Sequence, residues 1–341
     1  MNWKAGWINK ILTWLRITNQ PVVKVYRGYG HARQLLVQGH VLRRSPLPQK
    51  KYRKNTLVNT FAVLRLFFVR AYPAATVRLN WPGQALEAQT DPDGYFKFEW
   101  EPHQPLPPGW HPVEVELISG KARTGTVPTT GRGEILVPHP THYACISDID
   151  DTFLISYSAT VWKKLYVLLT ENAHSRMPFE GVVRHYQFLA GVGTTEKTPN
   201  AFFYVSSSEW NLYDYIREFS RKNGLPEGVY KLNRLKLLHQ LLKTGGNSHH
   251  TKLERIARIL DTFPAQKFIL LGDDTQQDPT IYSTLVDRYP NRIRCVYLRH
   301  RHDENQAKTQ ALVAQMEAAG VACCYFIHSA EAMRHSKAIG L

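Results

Sequence analysis

Strand-like and helix-like segments alternate along the chain after residue 140, and this alternation is the strongest constraint on the fold. It is typical of a parallel sheet with helices on both faces, so the sequence predicts a Rossmann-like α/β fold here. The predicted apolar strands are 143–149, 202–205, 268–271, 293–298 and 322–327, and the predicted helices are 160–170, 181–190, 210–223, 252–262 and 305–319.

Residues 20–140 differ from this pattern because short strand-like segments dominate them and turn-forming residues separate the segments. The turns include Pro82-Gly83 and Asp91-Pro92-Asp93-Gly94, and one apolar helix is predicted at 57–71. Short strands at this spacing are typical of a β-sandwich, so we expect a smaller, sandwich-like β-rich domain before the α/β domain. A chain of 341 residues is long enough for two domains, with predicted bounds of 20–140 and 141–341.

Acidic and polar residues follow three of the predicted strands. The first strand ends in Ser147-Asp148-Ile149-Asp150-Asp151-Thr152, the second ends in Ser206, and the third ends in Gly272-Asp273, with Asp278 shortly after it. Lys252 opens the helix before the third strand. Because the carboxyl ends of parallel strands share one edge of the sheet, these side chains are predicted to form one site.

This set of residue types can carry out the hydrolysis of a phosphate ester. A carboxylate can attack phosphorus and form an aspartyl phosphate, which divides one difficult step into two easier ones. Asp148, at the strand end, is the predicted nucleophile. Asp150 is the predicted acid and base, which protonates the leaving alcohol and then activates water.

The same chemistry needs positive charge, because a phosphate dianion repels a carboxylate. Magnesium supplies that charge and prefers oxygen ligands, so Mg²⁺ is the predicted cofactor. The predicted metal ligands are Asp148, Asp150, Asp273 and Asp278. The predicted substrate-binding groups are the hydroxyls of Ser206 and Ser207, the ammonium of Lys252, and Thr152, which fixes the loop.

These motifs resemble, in the same order, those of the haloacid dehalogenase superfamily: Asp-x-Asp-x-Thr at 148–152, a strand ending in serine, a lysine, and Gly-Asp followed by a second aspartate. More narrowly, residues 145–299 resemble the catalytic domain of the actin-patch-associated phosphatidate phosphatases. The resemblance implies a magnesium-dependent enzyme that converts phosphatidate to diacylglycerol, with the insert 153–200 as a small cap. The matching segments are 147–152, 178–181, 203–210, 268–273 and 278–282.

An excess of positive charge favours an acidic partner. The chain has 43 Lys and Arg against 28 Asp and Glu, a net charge of +15, which attracts phosphorylated substrates and anionic membrane lipids. The sequence has no helix-turn-helix, zinc-finger or RNA-binding pattern, which argues against nucleic acid. Residues 1–19 are predicted to form an amphipathic helix with Trp3, Trp7 and Trp14 on one face. This helix either lies at a membrane surface or packs on its own domain.

The sequence has no run of roughly 18 or more apolar residues, so no transmembrane helix is predicted. Its four cysteines have neither zinc-site spacing nor a disulfide framework, which favours a reducing compartment. We therefore expect a cytoplasmic protein with peripheral contact to membranes, and the sequence leaves its oligomeric state open. Two other functions stay open. The protein could be a phosphatase of another phosphomonoester, or a non-enzymatic module that binds anionic lipid.

Overall fold

The structure, a computed structural model, describes residues 21–43, 71–118, 129–149, 181–233 and 248–341. Some of the predictions concern residues outside these ranges. They are the helix at 1–19, nearly all of the helix at 57–71, the helix at 160–170, the residues Asp150 and Thr152, and the insert as far as residue 180.

The described chain up to Val137 forms a sheet of short strands, which we call the β-rich unit. Its strands are β1 (Val22–Val25), β2 (Gly28–His31), β3 (Gln34–Leu42), β4 (Thr76–Trp81), β5 (Gln84–Gln89), β6 (Tyr95–Trp100), β7 (Gly109–Leu117) and β8 (Thr129–Val137). They pair in the order β1-β3-β2-β8-β7-β4-β5, and β6 also pairs with β3. The pair between β2 and β8 is parallel, and the others are antiparallel.

Alternating side chains build the core of the β-rich unit. In β4, Val77, Leu79 and Trp81 are buried while the residues between them are half-buried or exposed. This period of two is that of a strand with one face against a core. The strand-rich character predicted for this region is observed. Strands β2 and β5 were not predicted, because their glycine, alanine and glutamate residues have weak strand propensity.

The chain from Tyr143 onward forms a second sheet with helices, which we call the parallel-sheet unit. Its strands are β9 (Tyr143–Ser147), β10 (Ala201–Glu209), β11 (Gly228–Asn233), β12 (Lys267–Asp273), β13 (Ile293–Arg299) and β14 (Ala322–Phe326). All pairs are parallel, in the order β11-β10-β9-β12-β13-β14. Strand β9 therefore lies between β10 and β12, and their carboxyl ends share one edge. The predicted mixed α/β class and parallel sheet are confirmed.

Helices cover both faces of this sheet. Cys145 on β9 packs in one apolar cluster with Tyr186 and Ile216, whereas its neighbour Ile146 packs in a second cluster with Ile256 and Leu285. Successive strand residues point to opposite faces, so both faces are buried under helices. The helices in the described residues are α1 (Val182–Gly191), α2 (Tyr213–Lys222), α3 (Ser248–Thr262), α4 (Asp278–Arg288), α5 (Asp303–Ala318) and α6 (Ser329–Ala338).

The sequence patterns did not predict β11, α4 or α6. In β11, Lys231 interrupts an otherwise apolar segment although its side chain is buried. Helix α4 has Pro279 in its first turn, a position where proline fits because the N–H that it lacks would have no helical partner. None of the helices in the described ranges combines the length and the apolar character needed to cross a membrane.

Candidate active site

Three of the predicted site aspartates are buried at the carboxyl edge of the parallel sheet. Asp148 follows β9, and its backbone N–H donates to the Leu271 carbonyl at 2.8 Å, which extends the pairing of β9 with β12. Asp273 ends β12, and Asp278 begins α4. Asp148 is 1% exposed, and Asp273 and Asp278 are 0% exposed. Burial of a charged carboxylate to this extent destabilises the folded protein unless cations or hydrogen-bond donors lie next to it.

Lys252 links two of these aspartates. Its Nζ donates to Asp148 Oδ1 at 2.7 Å and to Asp278 Oδ1 in a second, shorter hydrogen bond. Burial by itself lowers the pKa of Lys252, but the attraction of Asp148 and then of Asp278 outweighs burial, so the pKa is raised. The ammonium is therefore charged at neutral pH and lies one hydrogen bond from the predicted nucleophile.

Gly272 allows Asp278 to approach β12. A Cβ atom at position 272 would lie 2.6 Å from Asp278 Oδ2 and 2.9 Å from Cε2 of Tyr282. Tyr282 in turn donates its hydroxyl proton to the Leu271 carbonyl at 2.8 Å. The absence of a side chain at 272 therefore determines how closely α4 packs on the strand and where its first carboxylate lies.

We expect Gly272→Ala to destabilise the protein by about 1–3 kcal/mol, because its methyl group would overlap Asp278 and Tyr282. The free energy of unfolding in urea is the measurement. Gly191→Ala is the matched control, since a Cβ at that helical position meets no atom within 4 Å and alanine favours helix. Equal stability of Gly272→Ala and wild type would contradict the packing described here.

The serine segment, Ser206–Ser208, is an irregular stretch of β10 at the same edge. The register of β10 on β11 moves from Val205 opposite Lys231 to Glu209 opposite Asn233, so β10 has extra residues there. Ser206 Oγ accepts the backbone N–H of Ser208 at 2.8 Å, a contact within the segment itself. Ser206 is buried and Ser207 is half-buried.

Arg255 holds this segment and was missed by the sequence analysis. It lies three residues after Lys252 on α3 and so on the same side of the helix. Its Nη1 donates to the Ser206 carbonyl at 2.9 Å and to the Lys231 carbonyl at 3.2 Å. Burial lowers the pKa of Arg255, and the attraction of Asp148 opposes that shift. The signal in the sequence was the spacing of Lys252 and Arg255 on one helical face.

Asp273 and Asp274 are adjacent but have different partners. Oδ1 of Asp273 accepts the Thr275 backbone N–H at 2.7 Å and the Thr275 hydroxyl at 2.6 Å. Oδ2 of Asp274 accepts the Tyr325 hydroxyl at 2.6 Å and lies 2.8 Å from His300 Nδ1. The hydrogen bond to Asp274 is the main cause that raises the pKa of His300. Asp274, which was not predicted, therefore fixes the end of β12 to β13 and β14.

The carboxylates at this edge fit Mg²⁺ in the chemistry of their donors. Asp148, Asp273 and Asp278 offer oxygen atoms, which Mg²⁺ prefers. Among the described residues, Oδ2 of Asp278 is a buried oxygen with no hydrogen-bond partner. Within these same ranges no three His, Cys, Asp or Glu side chains are grouped as a metal site. The ammonium of Lys252 lies between Asp148 and Asp278, and Asp150 is outside the described residues.

The structure thus brings several of the predicted site residues together. Lys252 contacts both Asp148 and Asp278, and Asp273 lies at the same edge. Arg255 connects Ser206 to the helix that carries Lys252. The catalytic, substrate-binding and metal-binding roles of these residues stay predictions.

A family model described as "Phosphatidate phosphatase APP1, catalytic domain" matches residues 143–300. The match begins at the first residue of β9 and ends one residue after β13. It therefore contains the three aspartates, Lys252, Arg255 and the serine segment. It leaves out the β-rich unit.

Two curated relatives match part of the chain. Phosphatidate phosphatase APP1 of Saccharomyces cerevisiae is 29% identical over 156 residues, which are 45% of this chain and 25% of that protein. The uncharacterized protein C29B5.04c of Schizosaccharomyces pombe is 23% identical over 181 residues, which are 52% of this chain and 27% of that protein. The match therefore spans about a quarter of the length of these relatives.

Among solved structures, a carbohydrate acetylesterase from Xanthomonas citri is similar at 10% identity and a TM-score of 0.30, over 94% of this chain and 75% of that one. A likeness at this level supports no conclusion about fold or chemistry. The family match instead rests on sequence and falls on the part of the chain that carries the buried aspartates. It confirms that residues 143–300 resemble the catalytic domain of the APP1 phosphatidate phosphatase family.

Proposed function

We propose that residues 141–341 form a magnesium-dependent phosphatase domain of the haloacid dehalogenase-like fold, preceded by a sandwich-like domain at 20–140, and that it hydrolyses phosphatidate to diacylglycerol and phosphate. The observation that carries the proposal is the buried group of Asp148, Lys252 and Asp278 at the carboxyl edge of the sheet. Buried charges are costly, and a module that only binds a partner has no need for them at this edge.

In the proposed reaction the Asp148 carboxylate attacks phosphorus, and the bond from phosphorus to the diacylglycerol oxygen breaks. Asp150 gives its proton to the leaving oxygen and then removes a proton from the water that hydrolyses the aspartyl phosphate. The products are diacylglycerol and inorganic phosphate, and Asp148 and Asp150 regain their original states.

The neighbouring residues supply charge and orientation. The ammonium of Lys252 is close enough to Asp148 to neutralise a phosphate oxygen during the attack. Ser206 and Ser207 would donate to other phosphate oxygens, and Thr152 would fix the loop after β9. Magnesium, when bound, supplies the positive charge between phosphate and carboxylate, and Asp148, Asp150, Asp273 and Asp278 would hold it.

Phosphatidate as the substrate is supported by the family match and by the printed name of the Saccharomyces cerevisiae relative. The net charge of +15 is suited to an anionic lipid surface, to which the protein would bind peripherally. Phosphatidate is a phosphomonoester, so the chemistry derived from the aspartates applies to it directly.

The proposal predicts that the purified full-length chain releases phosphate from phosphatidate in mixed micelles when Mg²⁺ is present. EDTA should abolish the release, and excess Mg²⁺ should restore it, because the carboxylates and the phosphate repel each other without the metal. The value of kcat/KM for phosphatidate should exceed those for glycerol 3-phosphate and p-nitrophenyl phosphate.

Three other results would change this assignment. If kcat/KM is higher for a soluble ester than for phosphatidate, the proposed reaction is kept and that ester becomes the proposed substrate. Release that EDTA does not affect would overturn the role of magnesium. No release from any ester, together with binding of the protein to phosphatidate vesicles, would favour the non-enzymatic lipid-binding module.

A further inference from the structure

An aromatic ring of the β-rich unit packs on Trp210, two residues after the serine segment. Tyr26 lies directly after β1, and its ring stacks on Trp210, with ring centroids 4.0 Å apart and an angle of 18° between the planes. Trp210 directly follows Glu209, the last residue of β10. Tyr26 is 1% exposed, so the stacked pair is closed off from water.

Further contacts fix the same junction. The Tyr26 hydroxyl also lies 3.0 Å from Nδ1 of His40 on β3. The Arg27 backbone N–H donates to the Tyr213 hydroxyl at 2.9 Å, and Nζ of Lys24 donates to Asp214. Tyr213 and Asp214 form the first turn of α2, which follows the serine segment. The β-rich unit therefore holds the start of this helix as well as Trp210.

Residues outside β10 contact the chain at the first residue of the serine segment and again two residues after it. Arg255 holds the Ser206 carbonyl from the side of α3, and Tyr26 holds Trp210 from the β-rich unit. Between these two points the segment has extra residues relative to β11, so the sheet register alone does not fix it. The contacts of Arg255 and Tyr26 lie on either side of these extra residues.

We propose that Tyr26 is a positioning residue for phosphate binding by the serine segment, so that the β-rich unit completes the active site. This inference rests on the proposed phosphatase function. Tyr26 acts through Trp210 and does not touch the substrate. Since a misplacement of about 1 Å in a binding group can reduce the rate on the order of 100-fold, loss of one anchor should be visible in kinetics.

The test compares Tyr26→Ala and Tyr26→Phe with Tyr29→Ala as a matched control. Tyr29 is also a tyrosine of the β-rich unit and 1% exposed, but its ring packs on Phe203 and Phe263, with centroids 5.5 Å and 6.0 Å away, and not on Trp210. Each full-length variant is assayed for phosphate release, for binding of orthovanadate as a phosphate mimic, and for its unfolding midpoint.

We expect Tyr26→Ala to lower kcat/KM on the order of 10- to 100-fold and to weaken orthovanadate binding under conditions where circular dichroism shows a folded protein. Tyr26→Phe keeps the stacked ring and should restore both properties to near the wild-type values. Tyr29→Ala should lower the unfolding midpoint and leave orthovanadate binding unchanged. Tyr26→Leu, which keeps an apolar side chain, takes the place of the alanine variant if that variant does not fold.

Orthovanadate binding by folded Tyr26→Ala or Tyr26→Leu at the wild-type level would overturn the proposal. So would equal weakening in Tyr29→Ala, because the effect would then come from general loosening between the two units. If the wild-type protein releases no phosphate yet binds orthovanadate, and Tyr26→Ala weakens that binding, the proposed phosphatase function fails and the positioning role of Tyr26 stands.

Discussion

Asp148→Asn is expected to lower kcat for phosphate release on the order of 10³-fold or more while the protein stays folded. The asparagine side chain has the shape of aspartate, but its carboxamide cannot form the phosphoenzyme. Its carbonyl oxygen can still accept the hydrogen bond from Lys252, and Lys252 keeps its pairing with Asp278. A loss of activity without a loss of structure would therefore report on the nucleophile.

Asp287→Asn is the matched control for this substitution. Asp287 is an exposed aspartate near the end of α4, on the helix that Asp278 begins, so the same chemical change is made away from the sheet edge. Its kcat should equal that of the wild type. Activity of Asp148→Asn within a few-fold of wild type would rule out an aspartyl phosphate on this residue, and the assignment of the nucleophile would have to change.

Lys252→Met is expected to destabilise the protein by about 3–5 kcal/mol, measured as the free energy of unfolding in urea. Methionine is unbranched and nearly as long, so it fills the space without the charge. Asp148 and Asp278 would then be buried beside each other without the ammonium that now donates to both. The free energy of unfolding falls far more when one member of a buried ion pair is removed than when a pair on the surface is removed.

The pH dependence of this effect follows from the raised pKa of Lys252. A group whose pKa is raised by folding contributes stability that is fully present below its ordinary pKa and is lost as the pH rises through the raised value. The contribution of Lys252 to the stability of the wild type should therefore be fully present from neutral pH to about pH 9. Lys337→Met, at an exposed position of α6, is the control and should stay within about 0.5 kcal/mol of wild type. Equal stability of Lys252→Met and Lys337→Met would show that the ion pairs of Lys252 with Asp148 and Asp278 contribute little to the free energy of unfolding.

The positions of the site residues along the sheet could be predicted from the sequence. Apolar segments of strand length ended in Asp148, Ser206 and Asp273, and the parallel arrangement brings such ends to one edge. This inference needs only the periodicity of the chain and the direction of the strands. It did not require knowledge of any side-chain contact.

Contacts between distant segments could not be predicted in the same way. Nothing in the local pattern around Tyr26 indicates that its ring stacks on Trp210, because the partner is supplied by the other unit. The buried lysine of β11 illustrates the same limit. From the sequence a lysine such as Lys231 is expected to be exposed to solvent. In the structure its Nζ donates to Gln38 of β3 and lies 5.2 Å from the centre of the Tyr29 ring. Local propensity yields to tertiary packing in both cases.

The long separation between contacting residues has a consequence for folding and synthesis. Lys252 and Asp148 are 104 residues apart in sequence, and Arg27 and Tyr213 are 186 residues apart. Contacts of such high sequence separation stabilise the protein only after large loops have closed. Because loop closure costs conformational entropy, such contacts slow folding. During synthesis, Asp148 leaves the ribosome before β12 and α4 do. At that stage neither Asp273 nor Asp278 is available to lie beside it. The carboxyl edge of the parallel sheet is therefore assembled late, and Trp210, the residue on which Tyr26 stacks, is synthesised long after Tyr26.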